Sequence, residues 1–212
     1  MEKPFQKFSG LSLIISSVLL VFTMVLHPTG GNTKHILQMH DVAIIAHSLA
    51  IITLPFVAFG FYGLSIILLT NHKISLLAFI FVCFALLAGM IAASINGLIL
   101  PMFVENYAQE FEQNSEVLRP ILKYGSFFNI AMDNIMIVGI VVAITIWSVL
   151  IIISKKLPQW MGYYGLVLLL LSLLGVILNF NFVNLFGFRM FIFGLVSWIV
   201  VTGWLMMRET NL

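Results

Sequence analysis

A few imidazole, carboxylate and guanidinium side chains interrupt a very apolar sequence. His40, Asp41 and His47 lie close together, and Asp133 and Arg189 follow in later apolar stretches. On a helix, the seven-residue spacing of His40 and His47 places them on one face about 10 Å apart, too far to chelate one ion unaided. Imidazole suits Zn, Cu or Fe, while a carboxylate serves as a general base and an arginine stabilises anions. These side chains are the first candidates for a functional site.

Amide and carboxyl side chains form a second group further along the chain. Asn129, Met132, Asp133 and Met136 follow the spacing i, i+3, i+4, i+7. Residues at this spacing share one face of a helix. We therefore expect an Asn/Asp stripe on one helix to face a histidine stripe on another across a common cavity.

Composition determines the environment in which these residues must work. The chain has 212 residues, of which 61% are hydrophobic and 8% charged, with a mean hydropathy of +1.12. Soluble domains carry about 25% charged residues, so a water-soluble or disordered chain is excluded. A net charge of +2 gives no reason to expect nucleic acid. The single cysteine, Cys83, excludes an intramolecular disulfide and a Cys-built metal site.

Six apolar stretches are long enough to cross a bilayer as helices, which takes about 20 residues each. They cover approximately residues 10–26, 42–69, 74–100, 127–153, 161–178 and 185–207. Runs such as Val138–Ile144 do not alternate in polarity as the strands of a membrane barrel do. The sequence predicts an all-α, polytopic membrane protein, with residues 1–212 forming one six-helix transmembrane domain.

The distribution of Lys and Arg in the short loops predicts the orientation of the bundle. With a cytoplasmic N-terminus, the cytoplasmic side carries six basic residues (Lys3, Lys7, Lys73, Lys155, Lys156, Arg208) and the other side three (Lys34, Arg119, Lys123). Trp147, Trp160 and Trp204 fall near the same predicted boundary. Both termini are therefore expected in the cytoplasm, with the protein in a plasma membrane or a bacterial inner membrane.

The segment 101–126, between the third and fourth spans, is then extracytoplasmic. Apolar residues at helical spacing with glutamates between them predict a helical segment in the membrane interface. It should be broken near Asn114–Ser115 and perturbed at Pro120. Two roles are considered for it, a connector over the rim of the bundle and a mobile lid over a site.

This orientation gathers the costly side chains in the extracytoplasmic third of the bundle. The candidate metal ligands are His27, His40, His47 and Asp133. Other ligand contacts are assigned to Asp41, Asn96, Asn129 and Arg189, and catalytic roles to Asp133 and Arg189.

Each of these residues also has a purely structural interpretation. Asp133 and Arg189 can form an ion pair between two spans, and His47 can be a neutral imidazole bonded to a neighbouring helix. His27 and His35 lie in a loop, where solvation is expected, and His72 is expected at the surface.

Three functions are compatible with this pattern, since no phosphate loop, dinucleotide fingerprint, zinc-protease motif or nucleophile elbow is present. The first is binding of a metal, a haem or a lipid-soluble or anionic ligand, with or without catalysis. Its candidate cofactors are Zn, Cu and haem, and no cofactor is the equal alternative. The second is a small proton-coupled transporter or channel. The third is an accessory subunit of a membrane complex. Expected partners are the lipid bilayer, a small-molecule or lipid ligand, and a homo- or hetero-oligomer.

Overall fold

The computed structural model describes residues 3–29, 33–69, 73–110 and 115–208. Six of its helices are long and apolar enough to cross a membrane, and the described residues contain no strand. The six are α1 (Lys3–Leu26), α2 (His40–Leu69), α3 (Ile74–Ser94), α4 (Ser115–Ser154), α5 (Gln159–Ile177) and α6 (Leu185–Arg208). The predicted all-α membrane bundle is therefore confirmed.

The segment between α3 and α4 differs in detail from the prediction, although it is helical. A π-helical turn, Ile95–Ile99, joins α3 to a short helix, Leu100–Asn106, so that the third span continues beyond Leu100. At its other end the segment forms the first turns of α4, which begins at Ser115, where the break was predicted. Pro120 lies inside this helix and does not end it. The predicted break at Asn114, like His72, falls outside the described residues.

α4 is far longer than a bilayer requires. Its 40 residues extend about 60 Å at 1.5 Å per residue, whereas the hydrocarbon core is about 30 Å thick. Its first turns carry exposed apolar side chains, including Val117, Ile121 and Tyr124. α4 is therefore about twice as long as the hydrocarbon core is thick.

Small residues decide which helices pack closely. α1 packs between α2 and α6, and a Cβ atom added at Gly10 or Gly203 would lie 2.5–2.6 Å from the carbonyl oxygen of the other glycine. α3 packs on α4, where a Cβ at Gly139 would lie 2.9 Å from that of Ala85. α5 contacts mainly α4 and exposes most of its leucines. It is the peripheral helix of the bundle.

One end of the bundle is closed by aromatic stacking. The ring of Phe61 lies 5.0 Å from Trp147 and 6.4 Å from Trp198, between centroids. Ser65 and Ser75 each donate a hydrogen bond to the other's carbonyl oxygen, at 2.9 and 3.0 Å. Trp147 is fully buried there, so it does not serve as the interfacial anchor that was predicted. Trp160 and Trp204 are half-exposed.

The opposite end contains most of the predicted site residues, and we call it the histidine end. Here α1 ends at Leu26 and is followed by His27, while α2 begins at His40 and α6 at Leu185. α6 begins after Asn184, whose side-chain oxygen accepts a hydrogen bond from Gly187 N at 2.7 Å. Which side of the membrane this end faces stays a prediction.

Candidate ligand-binding cavity

A cavity of about 330 Å³ opens among the helices at the histidine end. Its wall is mostly apolar, with residues from all the spanning helices except α5. Five of the predicted site residues lie on this wall: His27, His47, Asn96, Asn129 and Asp133. Pockets for small molecules in proteins are typically of this kind, an apolar enclosure with a few polar groups that fix orientation.

His27 and His47 meet directly across the gap between α1 and α2. Their ring centroids are 4.7 Å apart and the ring planes are inclined by 55°. Nδ1 of His27 is 3.0 Å from the Pro28 carbonyl oxygen, and Nδ1 of His47 is 2.8 Å from that of Ala43. Because a carbonyl oxygen only accepts, Nδ1 carries the proton in each ring. Nε2 of each neutral imidazole is therefore a hydrogen-bond acceptor.

The environment of His27 opposes its protonation. Burial lowers the pKa of His27 from 6.5 to about 4, with smaller lowering effects from the nearby His47 and Arg189. The hydrogen bond to the Pro28 carbonyl opposes this shift only in part. At neutral pH the ring is therefore uncharged.

Asn129 and Asp133 are paired on the face of α4 that was predicted from their spacing. Nδ2 of Asn129 donates a hydrogen bond of 2.8 Å to Oδ2 of Asp133, whose side chain is buried. An ionised carboxylate only accepts, so this bond fixes the orientation of the Asn129 amide. Its Oδ1 is buried and has no hydrogen-bond partner among the described residues. The pair therefore offers the cavity further acceptor atoms.

The π-helical turn allows the close approach of α2 to the end of α3. A Cβ atom added at Gly97 would lie 1.9 Å from Cγ of His47, which only glycine avoids. Asn96, the preceding residue, reaches the cavity wall from the same turn. π-Helical turns of this kind often occur at functional sites.

Arg189 supports the cavity from outside. It is not on the wall, and its Nη2 donates a 3.0 Å hydrogen bond to the carbonyl oxygen of His27. Asp133 is bonded to Asn129, so the considered ion pair between Asp133 and Arg189 is not formed. Arg189 thus contacts the end of α1, while its Nε is buried with no hydrogen-bond partner among the described residues, and its ligand-binding and catalytic roles stay predictions.

His40 and Asp41 do not reach the cavity. Nδ1 of His40 lies 2.9 Å from Oδ1 of Asp41, and its Nε2 lies 3.3 Å from Oε2 of Glu105. Asp41 is almost fully exposed. Because α2 begins at His40, its side chain sits at the rim, two helical turns away from His47.

The predicted set of four metal ligands is consequently not assembled. Within residues 3–29, 33–69, 73–110 and 115–208, no three His, Cys, Asp or Glu side chains lie close enough to share an ion. A catalytic zinc commonly takes three protein ligands. The direct contact of the His27 and His47 rings also leaves no space for a porphyrin between them.

Two residues on the wall were missed as site residues by the sequence analysis. Thr23, on α1, is buried, and its hydroxyl has no hydrogen-bond partner in the described structure. His35, expected to be solvated, lines the cavity and bonds to the Thr29 carbonyl oxygen at 3.1 Å. Thr23 lies in the last turn of α1, four residues before His27, and this short separation in sequence was the available signal.

Comparison with models of protein families, with curated proteins and with solved structures gave no match. The assignment of function therefore rests on the geometry described above, that of a six-helix integral membrane protein with one largely apolar cavity at its histidine end.

Proposed function

We propose that this protein binds a lipid-soluble molecule whose polar head donates hydrogen bonds, with that head in the cavity. The observation that carries the proposal is the clustering of acceptor atoms on an apolar wall: Nε2 of His27 and His47, Oδ1 of Asn129 and the carboxyl of Asp133. A hydroxyl or an ammonium group satisfies such acceptors, and buried acceptors left without a donor are costly.

The acceptor groups on the cavity wall argue against the other ligands that the sequence analysis considered. An anion would meet the Asp133 carboxyl, while the nearest cation of the sequence-based set, Arg189, bonds to a backbone carbonyl outside the wall. A chelated metal lacks a third ligand among the described residues. An alcohol or amine head fits the same wall without either difficulty.

The transporter alternative requires a polar path through the bundle. Beyond Asp133, the same face of α4 continues with Met136, Ile140 and Ile144, all buried and apolar. A binding site reached from one side therefore agrees better with the arrangement of side chains. No observation favours the accessory-subunit alternative.

Photolabelling in lipid nanodiscs tests the proposal. The probe is dodecanol with a diazirine beside the hydroxyl-bearing carbon, and labelled residues are identified by mass spectrometry. We expect labels on cavity residues such as His47 and Met136. Excess dodecanol or dodecylamine should compete, and dodecanoate should not.

A matched pair of variants on α4 provides the control. Asn129→Leu should reduce labelling of the cavity at least fivefold. Asn134→Leu should leave it unchanged, because Asn134 is exposed and bonds only to the Ile130 carbonyl of its own helix. Equal labelling of wild type and Asn129→Leu, with labels spread over lipid-facing residues such as Phe84, would contradict the proposal.

A further inference from the structure

A second, larger space lies between α4, α5 and α6. It has a volume of about 670 Å³ and an almost entirely apolar wall, which includes Ile140, Ile144, Leu168, Phe182 and Phe191. We call it the tail groove. It adjoins α5, whose exposed leucines form part of the surface that faces lipid.

The tail groove continues the cavity along one face of α4. Asn129, Asp133, Met136, Ile140 and Ile144 follow each other at intervals of three or four residues, so they form one stripe. The first three residues line the cavity, and the last two line the tail groove. The stripe therefore changes from polar to apolar where one space gives way to the other.

α6 contributes residues to both spaces. Phe188 and Ile192 line the cavity, and the adjacent Phe191 and Leu195 line the tail groove. α4 packs on α3 and α5, whereas α6 packs mainly on α1, so α4 and α6 make little direct contact. On the α4 stripe, the unbranched and adaptable Met136 lies between Asp133 in the cavity and Ile140 in the tail groove.

We infer that the cavity and the tail groove form one binding site for a single-chain amphiphile, with the head in the cavity and the hydrocarbon tail passing between α4 and α6 into the groove. This inference rests on the proposed function and adds the form of the ligand. The wall of the groove is apolar apart from Ser172 and Asn179, so it suits a hydrocarbon tail. The continuous stripe on α4 supplies the path from head to tail.

Gly194 offers a way to fill the tail groove without disturbing the fold. It lies on the wall of the groove, and a Cβ atom added there would meet nothing within 4 Å. Gly125, in the first turns of α4, is equally open but is distant from the groove in sequence and lines neither space. Gly194→Leu and Gly125→Leu are thus a matched pair.

Competition of unlabelled alcohols with the probe that carries its diazirine beside the hydroxyl group distinguishes binding of the tail from binding of the head. We expect Gly194→Leu to weaken competition by dodecanol at least tenfold and to leave competition by butanol unchanged. Gly125→Leu should behave as wild type with both alcohols. If dodecanol competes equally well in Gly194→Leu while Asn129→Leu still loses labelling, the inference that the tail lies in the groove is wrong. The proposed function is then unaffected. If Asn129→Leu changes nothing, the proposed function itself fails.

A second measurement needs no variant in the groove. Dodecanol with the diazirine at its terminal carbon should label Phe182, Met190 or Leu168 in the unmodified protein. Labels found instead on the outer face of α3, at Phe84 or Leu87, would show that the tail lies in bulk lipid and would overturn the inference.

Discussion

His27 follows the end of α1 and His47 lies on α2, yet their rings lie 4.7 Å apart, and in each ring the protonated Nδ1 donates to a backbone carbonyl oxygen. Each contact fixes the tautomer without a side-chain partner, so both Nε2 atoms remain acceptors. The end of α1 and the second turn of α2 are thereby matched in position and in chemistry. This pairing is the geometric basis of the proposed preference of the cavity for a hydrogen-bond donor.

Stability should fall in mild acid because of His27. Its pKa is about 4 in the folded protein and 6.5 in the unfolded chain, so the unfolded state takes up the proton first. The neutral His27 ring makes its full contribution to the free energy of unfolding above pH 6.5. This contribution decreases as the pH falls toward 4 and is constant below it, for a total loss of roughly 1–3 kcal/mol. Thermal unfolding in nanodiscs between pH 7 and pH 4.5 measures this slope. His27→Gln should flatten this slope, and an identical slope in His27→Gln would refute the assignment.

Gly97→Ala should destabilise the protein by about 1–3 kcal/mol, because the added methyl group overlaps the ring of His47. Gly125→Ala, in open surroundings, should cost nothing. Thermal unfolding of both variants gives the comparison. In the double variant Gly97→Ala/His47→Ala, most of the loss due to Gly97→Ala should disappear. If Gly97→Ala still destabilises the protein when the His47 ring is absent, the cause of the destabilisation lies elsewhere in the π-helical turn.

Asp133 and Arg189 should behave independently of each other. A double-mutant cycle of Asp133→Asn and Arg189→Gln, followed by unfolding, should give a coupling energy within about 0.5 kcal/mol. The hydrogen-bonded pair Asn129 and Asp133 should give a larger coupling, about 0.5–3 kcal/mol. A strong coupling between Asp133 and Arg189 would restore the ion pair that was considered from the sequence.

The predicted orientation can be tested with single cysteines in a Cys83→Ala background, since Cys83 is the only cysteine. Lys155→Cys should react with an impermeant maleimide only after the cells are opened. Tyr124→Cys, on an exposed position of α4, should react in intact cells. The reverse labelling pattern would show that the bundle has the opposite orientation and that the cavity lies on the cytoplasmic side.

Much of the fold was predictable because crossing a bilayer imposes length and apolarity on each helix. The predicted and observed starts of the sixth span agree at Leu185, and those of the third at Ile74. The fourth helix begins at Ser115, before the predicted start of the span at residue 127, because the more polar stretch Ser115–Ser126 continues the same helix and helix formation does not require burial in hydrocarbon.

The site was predictable where one helix carries both partners. Asn129 and Asp133 share a face by spacing alone, and their hydrogen bond confirms it. The positions of His27 and Arg189 depend on how the end of α1 meets α6, which periodicity within a helix does not determine. His40 was assigned to the same site as His47, but its side chain lies at the rim of the bundle and does not line the cavity.

α4 runs without interruption from Ser115 to the buried Asp133 and on to Ser154. We expect a neighbouring protein or an antibody fragment that binds the exposed first turns of α4 to shift the position of Asp133, because one continuous helix carries both.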